Sequence, residues 1–340
     1  HEMSSRYILK KTAQAAEEAG YTCYVDPECE FFLFHIDDNG MPTTVSHEKA
    51  GYLDVSPVDL GENARRDMVL TLEDMGFEVE SSHHETAPAQ HEIALHYGEA
   101  REMADEVMTF KMAVRTVAKR HGLHATFMPK PRREVNGSAM HIHFSLFKNG
   151  KNIFADPEDP SRLSEEAYYF IGGLLAHSRE MTLITNPLVN SYKRIVPGNE
   201  APAYIVWSSG NRSPLISVPR TSAKDMHIEL RNPDPCVNSY LAFAGIIAAG
   251  LEGIKKGLMP QAATELNINR LSEEECEKLK LKRLPKSLSE AVEEMENDPL
   301  VMKTLGEYIS GKYVRAKRRE VSQYQAYVTD WETGQYLNKY

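Results

Sequence analysis

The stretch "VDPECEFFLF", Val25–Phe34, constrains this chain more than any other ten residues. Phe31, Phe32, Leu33 and Phe34 follow one another, so neither face is polar and the segment reads as a buried strand. Side chains alternate along a strand, which puts Glu28, Glu30, Phe32 and Phe34 on one face. Two carboxylates side by side at the mouth of such a strand repel each other, and burying either alone is costly. Something positive is expected between them.

The rest of the chain reads as helices mixed with strands. Helices are predicted over 4–19 (stopped by Gly20), 61–76, 99–121, 164–180 and 238–256, with another from Ser287, which with Glu290 makes a capping-box pattern. Residues 77–97 read as two extended segments about a turn at Pro88, and 137–147 alternates as a strand. Residues 181–231 read as turns and short strands, and the polar, aromatic C-terminus as a surface or subunit-contact helix. No βαβα rhythm is present, which favours an α+β fold.

The 340 residues carry a net charge of −10 without a basic block, which argues against a nucleic-acid partner. The most apolar run, 241–251, is shorter than the ~20 residues a membrane helix needs, and no signal peptide is visible. Cys23, Cys29, Cys236 and Cys276 show no paired spacing, as expected of reduced thiols in the cytoplasm.

Four stretches concentrate carboxylates and imidazoles: Glu28 with Glu30, Glu85 with Glu92, His141 with His143, and Glu229. Five glutamates at −1 nearly balance two divalent ions at +2 each. So oxygen-rich a set suits two Mg²⁺ or Mn²⁺ ions. A zinc site drawn from His83, His84, His141 and His143 is the rival reading, but such sites usually carry fewer carboxylates.

In order, "PECEFFLF", "HHETAPAQHEIA", "NGSAMHIHFSL", "NSYKRIVPGNEAP", "NRSPLI" and "IELRNPDPCVNSYLAFA" resemble the signatures of type I glutamine synthetase, over nearly the whole chain. The resemblance implies the family's catalytic-domain fold over 1–340, with an antiparallel sheet lining a funnel and 257–340 mainly helical. It implies ATP-dependent ligation of ammonia to glutamate through a γ-glutamyl phosphate, in a homo-oligomer of two stacked six-membered rings. By motif match, Glu30, Glu85 and Glu92 would hold one metal, and Glu28, His141 and Glu229 the metal on the ATP side. His143 would contact phosphate, and Asn136 and Gly137 the glutamate. Arg194 would grip the substrate carboxylate, and Arg212 and Arg231 would neutralise phosphate and carboxylate. Glu200, on a lid flanked by Pro197, Gly198 and Pro202, would deprotonate ammonium beside Tyr52. Ser145 and Lys224 would contact the nucleotide.

The chain departs from the family at several points. Ser217 and His227 stand where arginines are usual, and Arg220 would fall on the opposite strand face from Ser217. Asn269 stands where some members carry a tyrosine that is adenylylated. The family's N-terminal β-grasp domain has no counterpart before the first helix, so an isolated, poorly active catalytic domain is expected. Ligation to another amine and a non-catalytic scaffold are the alternatives.

Overall fold

The computed structural model describes residues 3–197 and 200–339; Gly198, part of the expected lid, lies outside them. Ten strands form one sheet: β1 (Thr22–His35), β2 (Val79–His84), β3 (Gln90–Leu95), β4 (Gly98–Glu99), β5 (Leu123–Thr126), β6 (Met140–Lys148), β7 (Lys151–Asn152), β8 (Trp207–Ser209), β9 (Ile216–Val218) and β10 (Ile228–Leu230). The order is β2-β3-β1-β6-β10-β9-β8, with β4 and β5 also on β1 and β7 on β6. β1 is the spine, paired with β6 over residues 22–29, with β3 over residues 28–32 and with β5 over residues 32–35.

The expected antiparallel sheet holds at every pairing but one: β8 and β9 run parallel, Trp207 opposite Ile216. Between them the chain turns at Gly210, whose φ of +96° favours glycine. The segment brings β9 back alongside β8 in the same direction.

Period-two alternation on β1 separates two environments. Cys29, Phe31 and Leu33 enter the main core under the helices. Phe32 and Phe34 stack at 5.4 Å on the other face and pack with Ala87 and Ala89. Fully burying one such side chain stabilises by roughly 1.5–3 kcal/mol. The polar end of that same face is therefore held by an apolar wall at its base.

The helices are α1 (Ser5–Glu18), α2 (Glu62–Asp74), α3 (Ala100–Arg120), α4 (Glu165–Ala176), α5 (Ser178–Thr185), α6 (Ser239–Lys256), α7 (Glu273–Lys278), α8 (Leu288–Asn297), α9 (Pro299–Gln325) and α10 (Asp330–Tyr336). The helix expected over 164–180 is two, broken at His177, and helical structure continues to Thr185 where turns were expected. The His177 ring accounts for the break, because its nitrogens lie 2.5 Å from Asp298 Oδ2 and 2.7 Å from Glu252 Oε2. Those bonds tie the bend to α6 and to the N-cap of α9. Ser287 caps α8 through the Glu290 amide, but Glu290 accepts from Lys286 N instead, so the box is half made. The C-terminus is a long helix kinked at Gly306 (φ +76°), followed by α10.

Candidate active site

Three connected hollows run along the polar face of the sheet. The middle one is a cleft of about 820 Å³ lined by Glu28, Glu30, Tyr52, Glu85, Glu92, His141, His143, Glu200, Arg212, Glu229 and Arg231, among others. A small hollow shares Glu30, Glu85, His141, Glu200 and Arg231 with it and adds Asn136, Gly137 and Arg194. A side hollow of about 310 Å³ shares Asp26, Glu80, His143 and His227 and adds Ser145 and Lys224. The structure thus brings every residue expected at the site to one of three adjoining spaces.

Strand register explains the first group. Glu28 pairs with His141 across β1 and β6, and Glu229 of β10 lies next to β6 on its far side. His141 Nδ1 is 3.4 Å from Glu28 Oε2 and 3.6 Å from Glu229 Oε1. These ligand atoms lie within 4.8 Å of one another, the span one ion bridges. Burial works against charge on Glu28, but His143 and His141 outweigh it and hold the carboxyl well below its usual range. Glu229 is likewise lowered, against its burial, by Arg231, His143 and His141. His143 Nε2 sits 3.1 Å from Glu28 Oε1, and although burial opposes it the ring is pushed up to about 9 by that carboxylate. His141 is lowered by burial and by Arg231, which leaves a neutral ring with a lone pair to give.

A second ligand-sized group forms on the β2–β3 hairpin and its turn. It contains His83, Glu85 and Glu92, where Glu30 was expected in place of His83. His83 and Glu92 are register partners, and His83 Nε2 lies 3.0 Å from Glu85 Oε1. Glu30 is turned aside because its Oε2 accepts from Gln90 Nε2 at 2.7 Å and Ala139 N at 2.8 Å. Burial and then the Glu85 charge push Glu30 up to about 8. Burial and then Glu28, Glu30 and Glu85 raise Glu92 well above the carboxylate range. His83 lowers Glu85 against its burial and Arg194 tempers Glu30, but carboxylates crowded to this degree still favour a cation among them, and an oxygen-rich set of this kind fits hard divalent cations. The zinc rival does not assemble: His84 points away from the cleft and bonds Glu48.

The remaining residues line the rim. Asn136 Nδ2 donates to Glu200 Oε2 at 2.7 Å. Glu200 is raised by burial and by Glu85. Arg194 is 3% exposed and donates to the backbone carbonyls of Arg231, Asn232 and Pro233, so it also braces that segment. Arg231 contacts Glu229 through Nη1, while its buried Nε has no hydrogen-bond partner among the described residues. A Cβ on Gly137 would overlap the Pro129 carbonyl oxygen, so the fold itself requires glycine there. Tyr52 is 55% exposed, edge-on to His83 at 5.5 Å. Arg212 is exposed on the cleft wall. Lys224 is exposed, and Ser145 Oγ is already committed to Met226 O at 3.0 Å.

Ser217 is buried opposite Glu229, and Arg220 lies against the Gly210 turn and not among the cleft residues. His227 stacks edge-on against His143 at 4.7 Å; burial and the charge on His143 lower its pKa. The sequence reading missed Gln90 and Asp26. Asp26 shares the Glu28 face by the same period-two rule and is pushed up to about 7 by burial, so strand alternation alone could have flagged it. Gln90 becomes visible only as the cross-strand partner of Phe32.

Comparison with known proteins agrees with this geometry. A family profile described as glutamine synthetase, catalytic domain, matches residues 2–336. A glutamine synthetase of Clostridium saccharobutylicum is 52% identical over 98% of this chain and 76% of its own length. One from Methanosarcina mazei is 50% identical over 98% and 74%. This chain therefore spans about three quarters of the length of these relatives. A solved GmaS/ADP complex, in conformation 1, superposes with a TM-score of 0.90 at 31% identity, over 99% of this chain and 78% of that one. With the profile, the relatives and the strand-borne glutamates in agreement, the chain belongs to the glutamine synthetase catalytic-domain family.

Proposed function

We propose that this chain ligates ammonia to the γ-carboxyl of L-glutamate with cleavage of ATP to ADP and phosphate. The observation that carries the reading is the row of three hollows with two carboxylate–imidazole groups at its centre. Membership of the family supports it. Glu28, His141 and Glu229 would hold one divalent ion, and Glu85 and Glu92, with Glu30 and His83 beside them, the other. Such ions, Mg²⁺ or Mn²⁺ by the donor set, supply positive charge against the transferring phosphoryl group and the substrate carboxylate.

The protein's own groups do the rest. Asn136 and Gly137, with Arg194 behind them, would seat glutamate in the small hollow. Ser145 and Lys224 would seat the nucleotide in the side hollow, with His143 at the junction facing phosphate. A γ-carboxylate oxygen attacks the terminal phosphorus and ADP leaves, giving γ-glutamyl phosphate. Arg212 and Arg231 face the charge that develops, and positioning with charge neutralisation is most of what phosphoryl transfer needs. Ammonium would lodge between Tyr52 and Glu200. Glu200 takes its proton, a task its raised pKa suits, and the freed nitrogen displaces phosphate from the acyl carbon.

Four unpaired cysteines support a reducing, cytoplasmic setting. Among the described residues no helix is long and apolar enough to cross a membrane. Membership of the family supports a homo-oligomer of its two-ring kind. The test is glutamine formation from glutamate, ammonium and ATP, with alkylamines run in parallel and mass measured by sedimentation. Glutamine without alkylamide is the expected result. Alkylamide as the main product, or no ATP-dependent product, would overturn the reading.

A further inference from the structure

We propose that Glu48 and His84 form a buried clasp that sets the Tyr52 segment against Glu85, which makes both of them positioning residues for the amine side of the cleft; this rests on the glutamine-forming reading above. Between the end of β1 at His35 and the start of α2 at Glu62 there is no helix, and only an isolated bridge, Ile36 to Pro42. Tyr52 nevertheless stands at a defined place against His83. Its segment has only scattered backbone bonds, such as Asp54 N to the Gly51 carbonyl, so side chains must supply much of the hold.

Glu48 does this with both oxygens. Oε1 accepts from His84 Nε2 at 2.6 Å and Ala89 N at 2.5 Å. Oε2 accepts from Leu60 N at 2.8 Å and Gly61 N at 3.2 Å. One 6%-exposed carboxylate thus joins the end of the irregular segment to the β2–β3 hairpin. The fully buried His84 ring continues the chain of bonds, its Nδ1 lying 2.6 Å from the Glu85 carbonyl oxygen. Leu53 N donates to the His84 carbonyl at 3.0 Å, which pins the residue next to Tyr52. Neither Glu48 nor His84 lines the cleft, so their effect must pass through Tyr52 and Glu85.

The same pocket of polar groups, Glu48, Asp59, His84 and His91, has ligand atoms close enough for an ion. Arg65 already supplies the cation: its Nη1 lies 2.6 Å from Asp59 Oδ2 and 2.8 Å from His91 Nδ1. The group is a hydrogen-bonded brace. A displacement of about 1 Å in groups that position a reactant costs on the order of 10²-fold, so slack in this brace would be felt at the amine.

The experiment compares the intact protein with Glu48→Ala, Glu48→Gln and His177→Ala. The last breaks a brace outside the cleft and is the control for lowered stability alone. Glu48→Ala is expected to raise the ammonium KM about tenfold, leave the ATP KM within about twofold, and weaken one of two Mn²⁺ sites in calorimetry. Glu48→Gln, which keeps an acceptor oxygen, recovers part of the loss. If Glu48→Ala lowers only thermal stability, as His177→Ala should, the clasp is refuted. Should Glu48→Ala not fold, Glu48→Gln is judged by the same constants, an unchanged ammonium KM counting against the proposal. If the unmutated protein makes no glutamine, the functional reading fails, and unchanged Mn²⁺ binding in the Glu48 variants refutes the clasp separately.

Discussion

Glu28 and Glu30 leave β1 on the same face, two residues apart, and are held in opposite electrostatic states. Glu28 lies among imidazoles, 3.1 Å from His143 Nε2 and 3.4 Å from His141 Nδ1, which keep its carboxyl well below the usual range. Glu30 is bonded to Gln90 and the Ala139 amide, and burial with the nearby Glu85 charge pushes it up to about 8. One strand face thus divides the cleft into a side rich in imidazole and a side crowded with carboxylates.

Separate metal defects should follow from that division. Glu28→Gln should weaken Mn²⁺ binding coupled to ADP, and Glu30→Gln Mn²⁺ binding that responds to glutamate. Loss of a charged interaction worth about 1.5–3 kcal/mol corresponds to roughly 10- to 150-fold in affinity. Calorimetric titration with and without ADP decides it, and loss of the same site in both variants would sink the division.

Gly137→Ala tests whether backbone crowding sets that position. Its methyl group would overlap the Pro129 carbonyl oxygen with the Arg194 side chain close by. Overpacking of this kind costs about 1–3 kcal/mol, so a lower melting temperature and a raised glutamate KM are expected together. A variant with both unchanged would mean that the segment yields freely.

His177 should make stability depend on pH in a specific sense. Burial acts to lower its pKa, but the bonds to Asp298 and Glu252 outweigh that and raise it. Asp298 and Glu252 are lowered, against their burial, partly by the same bonds. The histidine's contribution is full below its ordinary value and is lost as pH climbs through the raised one. The carboxylates' contributions are present above their ordinary values and are lost in acid. His177→Ala should therefore cost most between about pH 5 and 6.5, where all three are charged, and less in alkali. The loss there should be about 1.5–3 kcal/mol, read from urea unfolding across pH, and a pH-independent loss would contradict the ion-pair account.

Restoring cations at Ser217 and His227 should speed turnover. Ser217 is buried beside Glu229 on the neighbouring strand, and His227 stands at the junction of the cleft and the side hollow. An oriented cation at developing charge is worth a few kcal/mol in favourable cases, and a surface-accessible one less. We expect Ser217→Arg with His227→Arg to raise kcat for glutamine formation by about three- to tenfold. No gain in kcat would show that the cleft already has the positive charge it needs.

Much of the site was legible because strands carry a simple rule. Period two places Glu28 with Glu30 and His141 with His143 on shared strand faces, and the family signatures supply the other candidate residues but not Gln90 or His83. Asp26 obeyed the same rule and was overlooked. The His177 break was not legible, since its cause is a pair of acids at 252 and 298. Likewise Glu48 sits in a stretch without periodicity and meets His84 only in three dimensions.

By itself, then, the sequence determined which side chains share a face, where α1, α2, α3 and α6 begin and stop to within two residues, and the family. Those properties depend on neighbours within a few residues or on ordered motifs. Only the tertiary structure decided that His83 stands with Glu85 and Glu92, that Glu30 turns to Gln90, and that β8 and β9 run parallel. Each depends on which strands lie side by side. That pairing is settled by burying the β1 aromatics from both faces at once, a condition no local stretch of chain can state.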